Sequence, residues 1–498
     1  MTPNDRAGPP AVYATGERAT ERPQAAAPPA ARPGPVPPGP LTGAQAVVQA
    51  LIEQGVEYVF GIPGGAVLPL YDAMYDAPLK HVLVRHEQAA ALAADGYARA
   101  SGRVAVCVAT SGPGATNLIT GLATSYLDSV PVVAITGNVA RPVLGTDAFQ
   151  EADTFGISMP VTKHNYLVLD PQDLPAILRE AFAVATSGRP GPVLVDIPKD
   201  VFTSPVPEAA WHRPRRWHRM GAPAAGGAGA SVVAAAHGRP SPAGQPAWDG
   251  GAGLAASRAQ AGSSRDDTAT RDDASPAPAA GDGEWWEQVE LAARLIARAR
   301  RPVLYAGGGV ITAGAAGALR RLAERAELPT TTTLMALGAM PADHPLFLGM
   351  PGMHGTYAAN MALTETDCLI AVGARFDDRV TGKVAEFAPG AAVIHLDVDA
   401  AEIGKVKAPR VALAADARAG LEALLGALDR VPRDEFADRG PWLERVAAWK
   451  RERPYRYDRR LARRVLLPQA VVEELDRATG GDALVVTGVG QHQMWAAM

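Results

Sequence analysis

The chain has 498 residues, 47% hydrophobic and 20% charged, with 48 basic against 52 acidic side chains and a net charge of −4. That composition describes a globular protein with core enough for two or three domains, and it gives no reason to expect nucleic acid or an anionic membrane as a partner. No apolar run approaches a membrane span. Cys107 and Cys368 stand far apart in apolar runs, the pattern of reduced core cysteines in a cytoplasmic protein rather than of a disulfide or metal pair.

Residues 1–40 are rich in Pro and Ala, and Asp5, Glu17 and Glu21 argue against a transit peptide; a disordered tail is expected. Folding starts near Leu41, with Thr42 placed to cap a helix through Val47, Val48 and Leu51 ahead of a strand at 58–60. Gly61-Ile62-Pro63-Gly64-Gly65-Ala66 follows as a strand-to-helix turn, a setting where glycine often serves packing alone. Residues 82–84 and 104–110 read as buried parallel strands. The first ends in Arg85-His86-Glu87-Gln88, which presents Glu87 at the positive end of an Ala- and Leu-rich helix, expected to be buried. The second ends in Ser111-Gly112-Pro113-Gly114, whose glycines permit a close backbone approach. Open α/β sheets hold their ligands at this edge, although a lone carboxylate at a helix start is more often only a favourable first-turn acid.

A further strand at 130–136 leads to Gly137-Asn138-Val139-Ala140-Arg141-Pro142 and then to Gly145-Thr146-Asp147-Ala148-Phe149-Gln150-Glu151. Lys163 alone would be a solvated loop charge. A helix at 173–186 and a strand at 192–197, with Arg189 between them, close the first domain. From about residue 203 to 283 the composition turns to Ala, Gly, Ser, Pro and Arg, too poor in aliphatic residues to offset the entropy of ordering. Order resumes at Trp285 with a helix carrying Val289, Ala292, Leu295 and Ile296 on one face, then a strand at 303–306 and Gly307-Gly308-Gly309, which is not a dinucleotide fingerprint. Met353 and His354 precede a helix. A strand at 369–372 runs into Gly373-Ala374-Arg375-Phe376-Asp377-Asp378-Arg379, and one at 393–396 into Asp397-Val398-Asp399. Glycine for backbone approach, arginine for diphosphate and carboxylates for ribose hydroxyls fit a second doubly wound sheet, though any one of these turns is more often structural. Residues 430–467 read as a linking helix and strap, followed by a helix to Thr479, a strand at 483–487 and a turn from Gly488.

In this order and spacing, RHEQ, ADGYARA, TSGPGATN, DAFQE, GMPGMHGT, GARFDDRVTGK, IHLDVD and GQHQMW resemble the catalytic subunit of the acetolactate (acetohydroxyacid) synthase family of thiamine diphosphate enzymes. The resemblance covers residues from about 41 to 202 and from about 285 to the last. It implies an α/β fold with doubly wound parallel sheets in separate domains. These are a pyrimidine-binding domain at 41–203, a disordered insertion at 204–283, an FAD-binding domain at 284–430, a linker at 431–467 and the start of a diphosphate-binding domain at 468–498. The implied activity is decarboxylating condensation of pyruvate with pyruvate or 2-ketobutyrate in branched-chain amino acid biosynthesis. Thiamine diphosphate, FAD and Mg2+ are the implied cofactors, in a cytoplasmic homodimer or larger assembly open to a regulatory small subunit.

Carried over residue by residue, Glu87 hydrogen-bonds the cofactor's aminopyrimidine and promotes proton loss from its thiazolium carbon. Gly64, Gly65, Pro113 and Asn117 lie near the same cofactor, and Gly490, Gln491 and His492 near its diphosphate. Ala66, Ala140, Ala148 and Phe149 line the substrate channel, and Gln150 and Lys163 stand near the keto acid. Arg189, whose fork suits a diphosphate, contacts FAD together with Gly307, Gly308, Gly309, Met353, His354, Gly373, Ala374, Arg375, Asp377, Arg379, Asp397 and Val398. Asn138 and Ala140 depart from the Gln and Pro of many members, the latter position being one where herbicides bind, and Gly488 replaces a usual acid. No Gly-Asp-Gly…Asn motif occurs before Met498, so no metal ligand is assigned. The expectation is a third domain cut short and a chain that makes no acetolactate by itself. Two rival readings are another FAD-containing carboligase such as glyoxylate carboligase, disfavoured by Glu87 and DAFQE, and a non-catalytic homologue that folds and binds FAD only.

Overall fold

The computed structural model describes residues 40–212, 283–454 and 456–497; the expected tail and most of the expected insertion lie outside them. In the first domain, Thr42 caps helix Gly43–Glu53 in a reciprocal capping box with Gln45, which satisfies two backbone donors that the helix itself cannot. Strands β1 (Leu41–Thr42), β2 (Tyr58–Gly61), β3 (Lys80–Leu83), β4 (Ala105–Ala109), β5 (Val132–Asn138), β6 (His164–Leu167), β7 (Val193–Pro198) and β8 (Pro205–Val206) follow in chain order. β2 to β7 form one parallel sheet in the order β3-β2-β4-β5-β7-β6. Alternation along β4 splits the core: Val106 and Val108 join helix Gly43–Glu53 on one face, while Ala105, Cys107 and Ala109 meet Ala90, Ala91, Ala94 and Ala98 of helix Glu87–Ser101 on the other. The small residues bring this helix close. A Cβ at Gly121 would lie 2.4 Å from that of Ala91.

The second domain repeats the plan with β9 (Pro302–Ala306), β10 (Thr330–Thr332), β11 (Cys368–Val372), β12 (Ala392–Asp397) and β13 (Val411–Ala414), all parallel in the order β10-β9-β11-β12-β13. Helix Gly283–Arg298 buries Val289, Ala292 and Ile296 on one face of that sheet. Trp442 and Trp449 cover the other.

Several expectations need correction. The strand at 82–84 was expected to be buried, but β3 is an edge strand that among the described residues pairs only with β2, leaving Val82 and Leu83 exposed. The Ala- and Leu-rich helix buries one face only, with Leu92 outward. The insertion begins later than residue 204, because β8 pairs antiparallel with β1 and Trp211 is buried in the first core. Residues 440–452 are a helix docked on the central sheet, with Trp442 Nε1 donating to Pro302 O at 3.1 Å. No strand forms at 483–487, where Leu484, Val485 and Val486 are exposed; a strand needs a neighbour for its N–H and C=O groups, and none among the described residues pairs with it.

Candidate functional site

The order of the first sheet reverses between β2 and β4: the chain leaves β2 toward β3, then crosses back to β4. A crevice opens at such a point, outside the carboxyl ends of the strands. Three loops meet there. Ala66 N, in the loop after β2, donates to Thr110 Oγ1 at the end of β4 (3.2 Å). Glu87 opens the helix after β3, and Asn117 Nδ2, from the short helix Pro113–Asn117 after β4, donates to its Oε2 at 2.9 Å. Asn117 is the only described residue that hydrogen-bonds the Glu87 side chain, which leaves Oε1 for another group. Glycine makes this convergence sterically open. A Cβ at Gly64 would lie 2.5 Å from Thr110 Cβ, and one at Gly114 would lie 2.7 Å from Thr110 Cγ2 and 3.3 Å from Glu87 Oε1. Gly65 differs, since its Cβ direction meets only open space.

Gln150 comes to the same edge through the backbone. Gly112, at φ +57°, lies so close beneath it that a Cβ there would be 2.5 Å from Gln150 O. Gln150 itself has φ +59° and Asp147 φ +56°, conformations that cost non-glycine residues energy and mark constrained loops. The loop is held by Glu151, whose carboxylate accepts from Gly145 N and, at 2.9 Å, from Ala148 N. Phe149 projects from it almost fully exposed, and Ala140 and Ala148 are half-buried.

Lys163 and Arg189 occupy the other edge. Each precedes its strand, and Lys163 N donates to Pro192 O just before β7, so the parallel register puts both at the amino ends of β6 and β7. Lys163 Nζ donates to Val184 O (2.6 Å), Ser187 O and Ser187 Oγ (3.1 Å), closing the end of helix Leu174–Thr186. Burial pushes its ammonium down to about 8. Within one chain it is therefore not beside Glu87. Arg189 Nη1 pairs across the domain boundary with Asp399 Oδ2 (3.2 Å) and Glu402 Oε1 (3.0 Å), and its Nε donates to Ser129 Oγ (2.8 Å).

In the second domain the reversal lies between β9 and β11, and the loops after those strands pack on each other. A Cβ at Gly307 would lie 2.1 Å from Gly373 O, and one at Gly309 would lie 2.8 Å from Gly373 Cα. The loop bearing Met353 and His354 joins the Arg379 segment through Met353 N donating to Arg379 O, while Asp377 caps helix Asp378–Thr381. Ala374 O faces His395 Nε2 at 3.0 Å, which assigns the proton to that nitrogen. Asp397 is buried at the end of β12 and burial pushes its carboxyl up, while Asp399 N donates to it. Arg375 and Val398 are half-buried nearby in sequence. The hydroxyls of Thr332, Thr333 and Thr381, all at this carboxyl edge, are buried without a partner. Gly490, Gln491 and His492 are exposed. Among the described residues no group of three or more His, Cys, Asp or Glu side chains is placed to hold a metal ion.

Residues 41–157 match the family described as "Thiamine pyrophosphate enzyme, N-terminal TPP binding domain", and residues 289–424 match "Thiamine pyrophosphate enzyme, central domain". The chain is 45% identical over 457 residues to the acetolactate synthase isozyme 2 large subunit of Escherichia coli, a match covering 92% of this chain and 70% of that one. The chain belongs to the acetolactate synthase large-subunit family. It is also 43% identical over 463 residues to the probable acetolactate synthase large subunit of Methanocaldococcus jannaschii, covering 68% of that protein. To the acetolactate synthase large subunit of Corynebacterium glutamicum it is 47% identical over 458 residues. It spans 63% of the length of that last relative. Thr110 and Glu151, which hold the loops at the crevice, are not among the residues the motifs single out. Thr110 had a signal in its place at the end of β4, directly before the glycine turn.

Proposed function

We propose that this chain supplies the pyrimidine-binding and central domains of an acetolactate synthase, which condenses pyruvate with pyruvate or 2-ketobutyrate and releases CO2. The observation that carries the reading is Glu87, held by Asn117 at the switch point of the first sheet with one oxygen left unclaimed. The residues present fit thiamine diphosphate: the backbone at Gly114 passes so close to Glu87 that a Cβ there would lie 3.3 Å from Oε1, and that oxygen is open to hydrogen-bond a ring nitrogen. Bound there, thiamine diphosphate supplies the electron sink that lets a 2-keto acid lose CO2. Glu87 would bind the ring through Oε1 and could share a proton at that atom, while Asn117 keeps Oε2 occupied so that the carboxylate faces one way. Gly64, Ala66, Pro113 and Gln150 line the crevice. Ala140, Ala148 and Phe149 border its mouth.

For FAD, the buried unpaired hydroxyls of Thr332, Thr333 and Thr381 are an observation in favour of a bound polar group. Gly308, Met353, His354, Arg375, Asp377, Arg379, Asp397 and Val398 are the residues assigned to it, with Arg189 reaching from the first domain. The described residues offer no ligand set for Mg2+. The words "large subunit" in the names of relatives support a small regulatory partner, and assembly as a homodimer or larger is part of the same reading. No helix among the described residues is long and apolar enough to cross a membrane; a cytoplasmic location follows the same family reading.

The test uses the catalytic subunit that contains these residues, given pyruvate, thiamine diphosphate, FAD and Mg2+. Acetolactate should form, and Glu87→Gln should slow exchange of the thiazolium carbon proton, followed by NMR, by about two to four orders of magnitude while the fold is kept. Exchange at the parent rate in that variant would remove Glu87 from the chemistry.

A further inference from the structure

Asp196 lies on β7, flanked by β5 and β6 in the first domain's sheet, 1% exposed, with no basic side chain paired to it among the described residues. Its Oδ1 accepts from Thr136 Oγ1 at 2.6 Å and its Oδ2 from Asn138 Nδ2 at 2.5 Å, both across the β5–β7 register. A buried carboxyl without a counter-ion is costly, and burial holds it up to about 7 against these two hydrogen bonds. Nothing in the reaction as described uses it.

What it holds points to the site. Asn138 is the last residue of β5, and its other amide atom, Oδ1, accepts from Val139 N at 2.7 Å. Both ends of the amide are therefore engaged, and the strand end is fixed as it leaves the sheet. The residue before it, Gly137, carries the loop after β2. A Cβ there would lie 2.8 Å from Ala66 Cβ and Val67 Cγ1 and 3.2 Å from Ala66 C. Ala66 N is in turn the donor to Thr110, beside Gly64 and Gly114. A continuous chain of contacts thus runs from Asp196 through Asn138 and Gly137 to the loop that borders the open space at Gly65.

We propose that Asp196 is a positioning residue, which through Asn138 sets the end of β5 and so the height of the Gly64–Gly65–Ala66 loop over the crevice. The inference rests on the reading of that crevice as the cofactor site. The arrangement tolerates a proton. If Oδ1 carries it, the Thr136 hydroxyl turns from donor to acceptor while Oδ2 still accepts from Asn138, so the clamp is kept on either side of the titration. An asparagine at 196 has the same pattern as the protonated acid, with an NH2 toward Thr136 and an oxygen toward Asn138. An alanine has neither.

The experiment compares the parent chain with Asp196→Ala, Asp196→Asn and Asn138→Ala by hydrogen–deuterium exchange of the peptide spanning 61–68, without cofactor, using the peptide spanning 302–306 as an internal control. Asp196→Ala and Asn138→Ala should each speed exchange of the loop about fivefold, the scale of one lost hydrogen bond. Asp196→Asn should stay near the parent, and the control peptide should not change. In the catalytic subunit that contains these residues, with Mg2+ present, the dissociation constant for thiamine diphosphate should rise about fivefold in the two alanine variants and not in Asp196→Asn. If Asp196→Ala fails to fold, Asn138→Ala carries the test alone. Parent-like loop exchange in a folded alanine variant would overturn the proposal, as would equal acceleration in Asp196→Asn. A parent catalytic subunit that takes up no thiamine diphosphate in the presence of Mg2+ would overturn the cofactor reading and leave the exchange result standing.

Discussion

Arg189 is the described side chain with ion pairs across the boundary between the two domains, and replacing it by methionine keeps an unbranched stem while removing its charge. Its Nη1 meets Asp399 Oδ2 at 3.2 Å and Glu402 Oε1 at 3.0 Å. Side-chain exposures of 25%, 28% and 9% place the cluster between a surface and a core. Burial pulls the guanidinium down, but the two carboxylates outweigh it and hold the group above its ordinary value. An exposed pair contributes about 0–1 kcal/mol, while a hydrogen bond to a charged group is worth about 1.5–3 kcal/mol. Glu402 keeps Lys405 at 3.1 Å after the substitution, so it is not left uncompensated. Arg189→Met should therefore lower stability by about 2 kcal/mol at low salt, and this difference should shrink by roughly half at ~1 M NaCl, where the Debye length is about 3 Å. Arg189→Lys should recover only part of it, because a lysine ammonium lacks the fork that spans two carboxylates and Ser129. Urea unfolding at two salt concentrations measures both effects. An unchanged midpoint for Arg189→Met, or a difference insensitive to salt, would refute the reasoning.

Glu151→Gln should free Gly145 N or Ala148 N from its acceptor and loosen the loop that holds Gln150 at positive φ; in the catalytic subunit KM for pyruvate should rise about tenfold, the scale of a lost charge-assisted hydrogen bond, and steady-state kinetics with an unchanged KM would count against it. For Asp196, the folded carboxyl is raised from 3.8 to about 7, with Asp153 the charged neighbour that adds to burial. The folded state then binds the proton more tightly, so this contribution is complete below about pH 4 and is lost as pH rises toward 7, at a slope of about 1.4 kcal/mol per pH unit. Asp196→Asn should flatten that part of the stability profile, and urea unfolding between pH 5 and 8 that shows the parent slope in the variant would exclude Asp196 as its source.

Elements whose signal is local were legible in the sequence. The capping box at Thr42, the strand ending at Thr110 and the amphipathic helix after Trp285 each depend on neighbours within a few residues, and each forms where expected. β10 and β13 were not singled out. Thr330–Thr332 is only three residues long, and Val411–Ala414 alternates two aliphatic types that suit a helix as well. Burial of β3 could not be read from 82–84, because an edge and a central strand differ in what lies beside them, not in composition. The same limit separates the site residues. Glu87 and Asn117 are 30 apart in sequence and meet at the crevice, but the placement of Lys163 at the opposite edge follows from strand direction, which motif spacing does not carry.

The glycines around the crevice fall into two kinds, and the difference bears on what the site is for. Gly64, Gly112, Gly114 and Gly137 each lie where a Cβ would strike Thr110, the Gln150 backbone or Ala66 at under 3 Å, so the protein's own packing requires them. The same holds in the second domain, where Gly307, Gly309 and Gly373 exclude side chains from one another. Their presence would be explained in a protein that bound nothing. Gly65 has neither reason: no atom lies within 4 Å of its Cβ direction, and its φ is not in the left-handed region. A glycine that neither packing nor backbone conformation demands lowers stability through the freedom it adds to the unfolded chain. Gly65 is exposed, so a group bound at the crevice, as the cofactor reading proposes, could approach its backbone without displacing any side chain.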